Sequence, residues 1–68
     1  MLTEREGEIV DLVARGLTSI EIGRELGITV RTVQTHLCNI FDKLGVRNRV
    51  GVLYKLGYMK LGYIRGPS

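Results

Sequence analysis

Sixty-eight residues suffice for one small domain with a marginal core, whose stability a partner is expected to help. Lys and Arg outnumber Asp and Glu by 10 to 7, a formal net charge of +3. One cysteine excludes an intrachain disulfide and an all-cysteine zinc site, and there is no run of about 18 apolar residues to cross a bilayer.

The charge is unevenly spread. Residues 1–11 hold Glu4, Glu6, Glu8 and Asp11 against Arg5, a net −3, while residues 12–68 hold nine Lys/Arg against Glu21, Glu25 and Asp42, a net +6. Acids at a helix start answer the helix dipole. The bases are then left for a polyanion; a basic surface that is merely solvated is the alternative. The N-terminus has acids where a secretory leader has bases and a long apolar run, so a cytoplasmic protein is expected.

Leu2-Thr-Glu-Arg-Glu6 opens the first predicted helix. Thr3 is placed to cap it, and Glu6, three residues on, completes a capping box. Ile9, Val10, Val13, Ala14 and Leu17 supply its buried stripe. Gly7 costs this helix about 1 kcal/mol relative to Ala, and Gly16 is a stop signal. Thr18-Ser-Ile-Glu21 repeats the box and starts a second helix, which runs to about Leu26 with Ile22 and Leu26 one turn apart. Gly23, lacking a side chain, lets another helix pass close. Leu26-Gly-Ile-Thr29 then gives a Gly to end that helix, an apolar plug and a Thr to cap the next.

The third helix, Thr29 to Leu44, carries the clearest pattern. Val30, Val33, Leu37, Ile40, Phe41 and Leu44 recur at steps of three and four and define one buried side. Arg31, Gln34, Thr35, Cys38 and Asp42 fall on the opposite side, which is short, polar and mostly uncharged. A face of that kind suits base edges: Gln bonds adenine bidentately, Thr offers a hydroxyl or a methyl, and Arg takes guanine or phosphate. A short helix, a tight Gly turn and a second helix with such an outer face make a helix-turn-helix.

Val46-Arg-Asn-Arg49 is a short connection in which Asn48 is placed to cap a fourth helix, Arg49 to about Lys60. Val50, Leu53, Tyr54, Leu56, Met59 and Leu61 give that helix an apolar side, and Gly62 ends it. Tyr54, Tyr58 and Tyr63 read as core or interface before base-stacking groups, since Tyr54 and Tyr58 share helical spacing. Residues 1–64 thus form one all-α, four-helix domain, with 65–68 a disordered tail.

His36 and Cys38 lie two apart on a helix, about 200° around its axis, and cannot meet. No Asp or Asn completes a catalytic set with them, so neither an enzyme nor a cofactor is expected. Cys38 reads as a small groove-facing residue, with a reactive surface thiol as the alternative, and Ile20 as a lone exposed apolar residue.

Taken together, Leu2–Glu6, Gly16-Leu-Thr-Ser-Ile-Glu-Ile22, Leu26–Thr29, Thr32-Val-Gln-Thr-His-Leu37, Ile40 and Lys43-Leu-Gly-Val-Arg-Asn-Arg49 resemble the LuxR-type (NarL/FixJ-type) DNA-binding domain of bacterial transcriptional regulators. The resemblance covers about residues 2 to 50 without a gap. It implies a four-helix domain without a wing, usually the effector module behind a receiver or ligand-binding domain. It also implies double-stranded DNA as partner, a homodimer on DNA, and contacts to RNA polymerase and to an N-terminal regulatory domain. Carried over by position, Gln34, Thr35 and Cys38 face the major groove. Thr29, Arg31, Thr32 and His36 lie near phosphates, as do Thr18, Ser19, Lys43, Arg47 and Arg49; the outward spacing also offers Arg31 to a base. Dimer contacts fall to the last helix, at Val50, Leu53, Tyr54 and Gly57. Gln34 and Cys38 stand where the family often has bases, which shifts affinity onto other contacts. The competing reading is a protein-interaction module that docks a sigma factor, a receiver domain or a second copy through the same fold.

Overall fold

The computed structural model describes residues 2–57, and it places four helices there: α1 (Glu4–Ala14), α2 (Ser19–Leu26), α3 (Val30–Leu44) and α4 (Arg49–Lys55). No strand occurs among the described residues. The readings of Tyr58, Met59, Leu61, Gly62, Tyr63 and the 65–68 tail lie outside them.

Each helix starts on a side-chain oxygen that takes up an otherwise orphaned N–H. Thr3 and Thr18 head full capping boxes: Thr3 Oγ1 accepts from Glu6 N at 3.1 Å while Glu6 Oε1 accepts from Thr3 N at 2.9 Å, and the Thr18–Glu21 pair does the same at 3.2 and 2.8 Å. Thr29 Oγ1 accepts from Thr32 N at 3.1 Å, and Asn48 Oδ1 from Gly51 N at 2.9 Å. The stops are equally local. Gly27 and Gly45 take left-handed φ of 71° and 68°, and the chain closes back with Ile28 N donating to Gly23 O at 2.9 Å and Val46 N to Phe41 O at 3.0 Å. The close approach at Gly23 is made by the turn into α3 and by its first residue: an added Cβ would sit 2.7 Å from the Ile28 carbonyl oxygen and 3.6 Å from Val30 N.

α3 packs against all three other helices. Ile9, Ile22, Val33, Ile40 and Val52 are the largest fully buried side chains, with Val10, Leu12, Val13 and Leu37 around them. Leu2, Leu17, Leu26, Ile28, Phe41, Leu44, Val46 and Leu53 close the margins. Each fully buried aliphatic contributes about 1.5–3 kcal/mol against exposure.

Two expectations are corrected. Val30, read as part of the buried side of α3, is 39 % exposed because it stands at the first position of the helix, beyond the reach of its neighbours. α4 is shorter and rotated from its expected setting. It ends at Lys55, where Gly57 takes φ 89° and the chain turns. It buries Val52, while Val50, Tyr54 and Leu56 are exposed and Leu53 is half-buried. A helix of 7 residues spans two turns, so its apolar periodicity does not fix which side faces inward; contact with α1 and α3 does.

Two long-range polar contacts lock the bundle. Glu6 is buried, and its Oε1 lies 2.8 Å from Lys43 Nζ, joining the start of α1 to the end of α3. The hydrogen bond from Lys43, with the Thr3 N–H, holds the Glu6 carboxyl below the usual carboxylate range against the opposing effect of burial. Arg49 Nη1 donates to the Leu17 carbonyl at 2.9 Å and ties α4 to the α1–α2 connection.

Because the folded-state pKa of Glu6 is depressed, its contribution is present above the unfolded value, about 4.3, and is lost as pH falls through the folded one. Glu6→Gln is expected to lower the urea midpoint at pH 7, and the gap to the parent is expected to narrow as pH falls toward 3. Equal sensitivity of both proteins to acid would refute that account. Gly7→Ala is expected to raise stability by about 0.5–1 kcal/mol in the same assay, since Gly7 is exposed within α1 and an added Cβ meets nothing within 4 Å.

Candidate nucleic-acid interface

The outward side of α3 follows from the burial of its opposite side. Val33, Leu37 and Ile40 are sealed in the core. The 3.6-residue repeat therefore turns Arg31, Gln34, Thr35, Cys38 and Asp42 to solvent, and all five are exposed. No pocket indents the described surface. The outward side is a ridge and not a cleft.

The ridge is chemically particular. Thr35 Oγ1 donates to the Arg31 carbonyl at 3.1 Å, so toward a partner it offers oxygen lone pairs and a methyl group. Cys38 is a free, exposed thiol. Gln34 Nε2 donates to Ser19 Oγ at 3.4 Å, a link from α3 to the first residue of α2. Thr29 and Thr32, at the start of α3, are exposed and have their hydroxyls 3.0 Å apart. Thr18 is exposed at the start of α2, and His36 is half-buried along α3.

The basic residues divide. Arg31 and Arg47 are exposed. Lys43 and Arg49, expected along the phosphates, are engaged within the fold by Glu6 and the Leu17 carbonyl. Those roles escape a sequence reading because the partners are 37 and 32 residues away. The link from Ser19 to Gln34, across 15 residues, is equally absent from any local pattern. Of the residues expected at a dimer contact, Val50 and Tyr54 are 54 % and 46 % exposed, Gly57 is exposed and Leu53 is half-buried. Among the described residues, no group of three or more His, Cys, Asp or Glu is placed to hold a metal ion.

The chain matches the family model described as bacterial regulatory proteins, luxR family, over residues 1–56. It is 56 % identical over 48 residues to the transcriptional regulatory protein LiaR of Bacillus subtilis (strain 168), covering 71 % of this chain and 23 % of that protein. It is 49 % identical over 55 residues to the response regulator protein VraR of Staphylococcus aureus (strain Mu3 / ATCC 700698), covering 79 % of this chain and 26 % of that protein. VraR of Staphylococcus epidermidis (strain ATCC 35984 / DSM 28319 / BCRC 17069 / CCUG 31568 / BM 3577 / RP62A) matches at the same 49 % over 55 residues. The chain thus spans about a quarter of the length of these curated relatives.

Proposed function

The chain belongs to the luxR family of bacterial regulatory proteins, and from that premise we propose that it binds double-stranded DNA sequence-specifically, as the effector end of a cytoplasmic transcriptional regulator. The observation that carries this is the ridge of α3: Arg31, Gln34, Thr35 and Cys38 stand exposed on a helix whose other side is fully committed to the core. A ridge with that short polar surface fits the major groove, which is about 12 Å wide and admits one helix. α2 then crosses the backbone. Gln34, Thr35 and Cys38 face base edges; Arg31, at the start of the ridge, lies along phosphates with Thr18, Thr29, Thr32, His36 and Arg47. Lys43 and Arg49 brace the elements that present them.

Phosphate contacts supply most of the affinity and make it fall with salt. Gln34 supplies discrimination, one bidentate pair being worth about 1–3 kcal/mol. The short share of its relatives' length that the chain covers supports a longer regulator whose other part carries the switch. The exposed Val50 and Tyr54, with Leu53 and Gly57, give two copies a surface on which to meet on DNA.

A gel-shift series on random duplex at low salt tests the class of function. Retardation that weakens with salt is expected; none at tens of micromolar would point to a protein-docking module instead. On duplexes enriched by in vitro selection, Gln34→Ala is expected to relax preference at one base pair by about 1–3 kcal/mol. Arg31→Ala is expected to weaken binding to every sequence and to lower the salt slope by about 1. An unchanged ranking of sites with Gln34→Ala would remove the base-reading role.

A further inference from the structure

We propose that Ser19 is a positioning residue for Gln34: it holds the Gln34 side chain against the start of α2 and so sharpens the base preference of its amide. This rests on the base-reading role proposed for Gln34. An exposed glutamine has three rotatable side-chain bonds and loses conformational entropy when it docks. Here its Nε2 donates to Ser19 Oγ at 3.4 Å, between two helices and across 15 residues of sequence.

Both ends of the contact are held. Ser19 follows Thr18 directly, and the Thr18–Glu21 box, at 3.2 and 2.8 Å, pins the start of α2. Ile22 of the same helix is 0 % exposed. On α3, Val33 precedes Gln34 and is 0 % exposed, and Leu37 follows one turn later at 4 %.

The valences then decide what is offered to DNA. A carboxamide has two N–H donors and one acceptor oxygen. Ser19 engages one N–H, and a second N–H and Oε1 remain for a partner. That donor–acceptor pair matches adenine N7 and N6–H₂. The contact fixes where the amide lies, since a serine hydroxyl serves either end of a carboxamide as acceptor or donor. Without Ser19 the side chain is free to leave that position and must be ordered again on binding. At 3.4 Å the bond is long, so its loss is expected to lower discrimination by about three- to tenfold.

The 68-residue chain and its Ser19→Ala, Ser19→Thr, Gln34→Ala and Ser19→Ala/Gln34→Ala variants are titrated with duplexes selected by the parent, each base pair varied in turn. Ser19→Ala is expected to cut discrimination about three- to tenfold at the base pair whose preference Gln34→Ala erases, beyond any change in affinity for random duplex. Ser19→Thr is expected to restore it, and Ser19→Ala to add nothing once Gln34 is Ala. In the free protein, the Gln34 side-chain amide proton resonances are expected to move toward those of a solvated glutamine in Ser19→Ala. A uniform loss of affinity with preference intact would assign Ser19 to a phosphate and overturn the positioning role, as would additive effects or unmoved amide resonances. If Gln34→Ala erases a preference that Ser19→Ala leaves whole, only the positioning role fails. If Gln34→Ala changes no preference, the base-reading role fails and the positioning role with it.

Discussion

The inner side of α3, Val33, Leu37 and Ile40, is enclosed by α1, α2 and α4, and the rest of the molecule is arranged by that enclosure. Once these three leave water, the helix cannot rotate about its axis without exposing them. Each is worth about 1.5–3 kcal/mol in burial, a large share of what a domain this small commands. The outer side is fixed by the same act. Gln34, Thr35 and Cys38 are outward because their neighbours are inward, and no contact of their own is needed to hold them there.

The turn between α2 and α3 sets how the ridge is presented. Thr18 fixes the start of α2, Gly27 releases its end through a left-handed residue, and Ile28 N returns to the Gly23 carbonyl. The missing Cβ at Gly23 leaves room for the Ile28 carbonyl to approach. The two helices are therefore joined closely enough for Ser19 to reach Gln34. Such preorganisation matters for recognition, since side chains already ordered lose less freedom on binding.

Electrostatics follow the same division between frame and surface. The acid-rich first helix buries Glu6 and draws in Lys43, which would otherwise be one more free base at the end of α3. An unpaired buried carboxylate is costly, so Lys43 answers a structural requirement first. Arg49 is likewise drawn to the Leu17 carbonyl. Net charge alone does not distinguish bases that also hold the fold, such as Lys43 and Arg49, from Arg31 and Arg47 on its surface.

The sequence by itself determined the four helix starts, the Gly stops of the first three helices and, Val30 apart, the two sides of α3. Capping is a matter of residues three apart, and a stop depends on one residue's access to positive φ, so both are written locally. α3, at 15 residues, is long enough for its repeat to define inside and outside. Tertiary structure decided the setting of α4, where Val52 and not Val50 is buried, because two turns of helix leave the phase to the neighbours. It also decided the contacts of Lys43, Arg49 and Ser19, whose partners stand 37, 32 and 15 residues away. A side chain's partner at that separation is chosen by how helices pack, and packing depends on the whole core at once.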